Sequence, residues 1–290
     1  MPVIFSPALI ARLISLLSLF CLLLSTPIQA ATQPPLELWI HPYLPAPELV
    51  RRFTPLAHYL ETKGGRKIEI RISTTYKEHE KRLSEDRADL AFVGPFGYVQ
   101  VTKRHETKNI LAMMEGNGKT VFHGIIAVRQ DGPIKTLQDL VGKSFAFADN
   151  ESTMGTLVPQ NMLREAGVEI DRLSRYSFLA SHNDVALAIL GGFYDAGGLK
   201  EEVFLEYAHR GLRVLAKSPP IPEHLFLAGK HLPVPLVKVL RKALIQLKDP
   251  AILTPIQKTA TGMAPATDRD YDIVRRLCQV TANSAPLPGK

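Results

Sequence analysis

The chain has 290 residues, with 35 Lys and Arg against 28 Asp and Glu, 46% hydrophobic residues and two cysteines. The formal net charge of +7 is dispersed, and clusters such as "KEHEKR" mix both signs, which fits solvated helix faces and excludes a nucleic-acid-binding stripe. No internal repeat or low-complexity tract interrupts the pattern, and that length is ample for two lobes of ~100 to 150 residues each.

Residues 1–30 carry one charge, Arg12, then the apolar run "LISLLSLFCLLL" and the small-residue junction "TPIQAA". This is the pattern of a cleavable secretory signal peptide; the run is short for a retained membrane span. Cys21 lies inside the apolar run and follows no lipobox-like pair, so no lipid attachment is expected. Cleavage leaves 34 Lys and Arg against 28 Asp and Glu, and Cys278 as the one thiol, so no internal disulfide can staple the exported fold.

Strand and helix patterns then alternate. "LELWIHPY" reads as a strand, and "APELVRRFTPLAHYLETKGG" as a helix kinked or divided at Pro55 and stopped at Gly64-Gly65. "KIEIRIS", "ADLAFVGP", "NILAMME" and "VFHGIIAVR" read as strands, with helices over "TYKEHEKRLSED" and "FGYVQVTKRH". The alternation restarts: a short helix in "DGPIKTLQDLVGK", the strand "SFAFAD", a helix ending at Gly167, the strand "RYSFLAS" and the helix "HNDVALAILGG". "YDAGGLK" and "LRVLAKS" are short strands around the helix "EEVFLEYAHRG"; "HLFLAGK" follows the Pro219–Pro222 break, and helices over "PLVKVLRKALIQLKD" and "DYDIVRRLCQV" close the chain.

This order predicts an α/β protein of two lobes, each a mostly parallel sheet flanked by helices, joined by two crossing strands. The expected division is a signal peptide over 1–30, lobe 1 over 31–125, lobe 2 over 126–223, and a return strand with C-terminal helices packing on lobe 1 over 224–290. A ligand then belongs in the cleft, beyond the carboxyl ends of the strands. The stretch "DNESTMGTLVPQNMLREAG" offers a chemistry for it: Ser152, Thr153, Gly155 and Thr156 stand between a strand and a helix N-terminus, a design suited to an anion. The competing explanation is that Ser152 is only a helix cap.

The segments "TTYKEHEKRL", "RADLAFVGPFGYV", "DGPIKTLQDLVGKSFAFAD", "STMGTLVPQNML", "ASHNDVALAIL", "KSPPIP" and "DYDIVRRL" together resemble the periplasmic phosphate, phosphite and phosphonate-binding proteins of ABC importers. The resemblance implies a clamshell of the two-lobed periplasmic binding protein fold that closes on a small oxyanion and delivers it to a membrane permease, with no cofactor and no metal. It implies ligand contacts from Ser152, Thr153 and Gly155, with Met154 in place of a third hydroxyl. It also places Tyr76, beside Thr75, and His182 against the ligand, and makes Phe96 and Tyr98 the aromatic candidates where Val93 replaces a tyrosine. Lys200, after Gly197 and Gly198, stands where the family offers polar or acidic groups, which disfavours a ligand amine; alternatively it points into solvent.

No catalytic constellation competes. "GKS" at Gly142 to Ser144 lacks the upstream glycine of a phosphate-binding loop, there is no G-x-S-x-G, H-E-x-x-H or C-x-x-C, and His224 and His231 are isolated. The expected protein is a periplasmic monomer feeding an importer. A binding protein that reports to a membrane sensor kinase has the same sequence signature, and an enzyme is disfavoured by the signal peptide and the terminal position of Cys278.

Overall fold

The computed structural model describes residues 33–103 and 108–282. The expected signal peptide, with Arg12 and Cys21, lies outside the described residues. Strand β1 (Leu36–Ile40) buries Leu36, Leu38 and Ile40 on alternate positions, the period of a pleated strand. Helix α1 (Ala46–Gly64) buries Leu49, Phe53, Leu56 and Leu60 at three- and four-residue spacing and runs unbroken through Pro55. It ends at Gly65, whose φ of 66° lets its N–H reach the carbonyl of Glu61 at 2.8 Å.

Then follow β2 (Ile68–Ile72), α2 (Tyr76–Ser84), β3 (Leu90–Val93), α3 (Pro95–Lys103) and β4 (Asn109–Gly116). The short β5 (Val121–Phe122) leads into β6 (Gly124–Arg129). The helix expected in "DGPIKTLQDLVGK" shrinks to one 3-10 turn at Gln138–Leu140. Next come β7 (Ser144–Phe147), α4 (Val158–Glu165), β8 (Arg175–Phe178), α5 (His182–Leu190), β9 (Ala196–Lys200), α6 (Glu201–Ala208) and β10 (Leu212–Lys217). The chain returns through β11 (Ile221–Pro222) and β12 (Leu225–Ala228), then adds α7 (Val234–Gln246), α8 (Pro250–Ile256), β13 (Ala260–Ala264) and α9 (Asp272–Ala282).

The strands form two sheets, ordered β13-β4-β12-β3-β1-β2 and β10-β6-β9-β7-β8. Both are mixed, not mostly parallel. The βα units pair in parallel (β1 with β2 and β3; β7 with β8 and β9), while β4, β12 and β13, and likewise β6 and β10, run antiparallel to their neighbours. The reason is the crossing. A chain that leaves one sheet and later returns enters each sheet against the direction of its βα strands. Between the sheets, β5 and β11 pair as a two-stranded antiparallel ribbon, Ile221 opposite Phe122. Helix α9 packs against α3 and also against α4, so the C-terminus contacts elements of both lobes rather than the first alone.

Candidate functional site

Four strand ends converge on one cavity. His41 and Tyr43 follow β1, Gly94 follows β3, Ser152 to Met154 lie beyond β7, and Lys200 ends β9; all line a cavity of about 40 Å³. One water needs about 10–15 Å³ on this measure. The space therefore suits a solute of only a few non-hydrogen atoms.

The floor is an unusual turn. Thr153–Leu157 is π-helical: the N–H of Leu157 donates to the carbonyl of Ser152 at 3.0 Å, and that of Val158 to the carbonyl of Thr153. Such wide turns recur at functional sites, and at a helix start the first amides have no intrahelical acceptor. Ser152 Oγ accepts the Gly155 N–H at 3.1 Å, so Ser152 is a cap and a cavity wall at once. Thr153 Oγ1 accepts the N–H of Phe96, across the cleft, at 3.0 Å. With that lone pair used by a backbone amide, the threonine O–H is left to donate into the cavity.

His182 opens α5 under a Ser181 cap that accepts the Asp184 N–H at 3.2 Å. Its Nδ1 accepts the Lys200 N–H at 3.3 Å, which fixes the proton on Nε2, 3.5 Å from Ser152 Oγ. Burial, then the charge of Lys200 and the neighbouring His224, push the imidazole down to about 3, so His182 is a neutral Nε2–H donor at pH 7. Tyr76, at the first position of α2, closes a wall with its ring centroid 5.2 Å from that of His41. Lys200 faces the cavity, but its ammonium is engaged by Glu202 at 3.3 Å and by the Gln257 side-chain oxygen at 3.2 Å.

Residues 38–271 match the family described as the periplasmic substrate-binding protein of a phosphonate ABC transporter. The chain belongs to that family. Proteins similar to it include the phosphate-import protein PhnD of Mycolicibacterium smegmatis, 29% identical over 266 residues, covering 81% of this chain and 82% of the relative. Of solved structures, PhnD1 of Prochlorococcus marinus in complex with methylphosphonate superposes with a TM-score of 0.77 at 18% identity, over 86% of this chain and 98% of the other. The binding-protein component of a phosphonate ABC transporter from Pseudomonas aeruginosa gives 0.76 at 20% identity, over 89% and 91%. At these identities the superpositions carry the two-lobed fold.

Against the family pattern, the structure brings Tyr76, Ser152, Thr153, His182 and Lys200 together on the cavity. The other expected residues are engaged elsewhere. Thr75 caps α2 by accepting the Glu78 N–H at 3.0 Å, and Phe96 reaches the site only through its backbone N–H. Tyr98 is fully buried, its hydroxyl donating to Asp268 at 2.7 Å, and Thr156 donates to the Asp149 carbonyl at 2.8 Å. Gly155 is needed for packing: a Cβ there would lie 2.2 Å from the Cβ of Ala148. Gly198 serves the same seat, since its Cβ would meet Pro159 at 2.5 Å and the Gly155 carbonyl at 2.8 Å.

Six further lining residues with polar or ionisable side chains were not assigned to the site by the sequence reading: His41, Tyr43, His79, His224, Glu80 and Glu151. A signal existed for the first two, because "HPY" directly follows a strand, where α/β sites form. Burial, with the neighbouring histidines, holds His41 well below the usual imidazole range; burial likewise pushes His79 down to about 3 and lowers His224. Glu80 and Glu151 put carboxyls on the wall, so Lys200 alone no longer argues against a ligand amine. Among the described residues, no group of three His, Cys, Asp or Glu could hold a metal ion. Burial pushes the Cys278 thiol up to about 11, which leaves it a poor nucleophile at neutral pH.

Proposed function

We propose that this chain is exported with loss of residues 1–30 and, as a monomer, captures a small phosphonate-type oxyanion in the periplasm. Phosphonate, phosphite and phosphate share the required tetrahedral chemistry, and the protein hands the ion unchanged to an ABC permease. One observation carries this reading: Ser152, Thr153, Tyr76 and His182 surround a cavity of about 40 Å³ at a helix N-terminus. Donors that are neutral and already oriented favour an anion without importing a competing charge. The methylphosphonate seen in the Prochlorococcus relative is a ligand of that size.

The protein purified from the periplasm is expected to have the mass of a chain beginning near Ala31; a full-length product in intact-mass analysis contradicts export by cleavage. Methylphosphonate, phosphite or phosphate at a hundred times its dissociation constant should stabilise the mature protein by about 2.7 kcal/mol, visible as a raised melting temperature. Absence of a shift with all three would sink the oxyanion reading. The same ligand should lower the radius of gyration, because Thr153 and Phe96 meet only when the lobes approach.

A further inference from the structure

Two carboxyls on the cavity wall, those of Glu80 and Glu151, have the wrong character for a simple anion site. Glu80 lies one helical turn after Tyr76 on α2 and lines the same cavity, and its Oε1 is buried with no hydrogen-bond partner among the described residues. A buried carboxyl oxygen without a partner is costly, so it marks a contact that something else completes. The first turn of α3 clears the space in front of it. A Cβ on Gly97 would lie 3.4 Å from Glu80 Oε1. One turn earlier, a Cβ on Gly94 would lie 3.6 Å from Thr153 Oγ1 and 3.5 Å from His224 Nε2. The carboxyl and the donor groups thus face one short stretch of backbone, Gly94 to Gly97, where β3 gives way to α3.

The charged surroundings of Glu80 are acidic. Asp149 and Glu151 act on it from the loop after β7, Tyr76 shares its helix and α3 presents Gly97, while Gln100 of α3 and Lys77 of α2 act on Glu151. Burial first, then Glu151 and Asp149, push the Glu80 carboxyl up to about 8, which keeps it protonated at neutral pH. A protonated carboxyl offers one O–H donor and one carbonyl acceptor.

We propose that Glu80 is a specificity-determining ligand group that shares a proton with the bound oxyanion and selects phosphonate-type acids over sulfonates of the same shape. The proposal rests on the oxyanion reading given above. A phosphonate dianion is basic enough to accept the carboxyl proton: the carboxyl O–H bond breaks, a P–O–H bond forms, and the negative charge moves to Glu80 with the total unchanged. A phosphonate monoanion instead donates its own O–H to the Glu80 carbonyl while accepting the carboxyl proton. A sulfonate has no proton to give at neutral pH and is too weak a base to take one.

Calorimetry with methylphosphonate and methanesulfonate tests this on the mature wild type, Glu80→Leu and Glu80→Gln, each with a melting curve. The wild type should prefer methylphosphonate at pH 7, and Glu80→Leu should cut that preference about tenfold, the equivalent of one hydrogen bond of about 1.4 kcal/mol. Glu80→Gln keeps a donor and an acceptor and should retain most of the preference. At pH 9, measured in buffers of different ionisation enthalpy, the wild type should take up about one proton more per methylphosphonate than Glu80→Gln, because its carboxyl must regain a proton to bind. An unchanged preference in Glu80→Leu, or equal proton uptake in Glu80→Gln, overturns the proposal. So does a wild-type preference for an amine-bearing phosphonate that disappears in Glu80→Leu, since Glu80 would then be a carboxylate counter-ion. Failure of the wild type to bind methylphosphonate, phosphite or phosphate removes the oxyanion reading itself.

Discussion

Glu223→Leu should destabilise the protein by about 3–5 kcal/mol, the usual cost of removing one partner from a buried ionic network. Glu223 is 1% exposed and sits between the β5–β11 ribbon and β12. Its Oε1 accepts the Gln257 side-chain amide at 3.0 Å, and its Oε2 accepts the His224 backbone N–H at 3.1 Å and faces His224 Nδ1 at 3.2 Å. Burial acts to raise the carboxyl, but Lys200, His224 and Gln257 outweigh it and hold it down to about 2. His224 is itself kept neutral by burial, so it contributes as a hydrogen-bond donor and Lys200 supplies the countercharge. A depressed carboxylate contributes stability that is fully present above its unfolded value, near 4.5, and is lost as pH falls towards 2. Urea unfolding at pH 7 reads the loss, and the variant's stability should vary less between pH 5 and 2. A wild-type-like midpoint at pH 7 would contradict the network. Glu223→Gln, which keeps an acceptor and loses the charge, should fall between the two.

Thr153→Val should weaken oxyanion binding by about ten- to a hundredfold, with a melting temperature close to that of the wild type. A hydroxyl donating to a charged oxygen is worth roughly 1.5–3 kcal/mol, which is that range of affinity. The threonine has a second connection, since its Oγ1 also accepts the Phe96 N–H from the other lobe. Valine keeps the shape and loses both contacts, so the affinity loss combines ligand contact and closure. Ser152→Ala separates differently. Its Oγ accepts the Gly155 N–H, so about 1 kcal/mol of stability should go with the affinity. Calorimetry and melting curves on both variants check these outcomes. Unchanged affinity in both would move the ligand away from the turn.

Local rules account for what was legible in the sequence. Alternating buried positions in β1, the helical spacing of Leu49, Phe53, Leu56 and Leu60, and the Gly65 stop each follow from one short segment. The same holds for the Ser181 cap that puts His182 in a first helical turn. Strands β11 and β13 and helix α8 were not legible. Strand β13, "ATGMA", has little β-branched or aromatic content and exists because β4 offers it an edge. The seven-residue helix α8 carries Pro at its first position and again inside.

By itself, the sequence determined the alternation of strands and helices, the hydroxyl-rich turn and the donor types it carries, because these depend on neighbours a few residues away. Tertiary structure alone decided which of them face the cavity. Thr75, Thr156 and Tyr98 are as polar as Tyr76 and Ser152, yet their hydroxyls are committed to Glu78, Asp149 and Asp268, the last of them 170 residues away in sequence. The state of Glu80 was decided in the same way. A glutamate in "KEHEKR" is ordinary by composition, and only the approach of α3 and of the Asp149–Glu151 loop takes water from its carboxyl and keeps its proton in place.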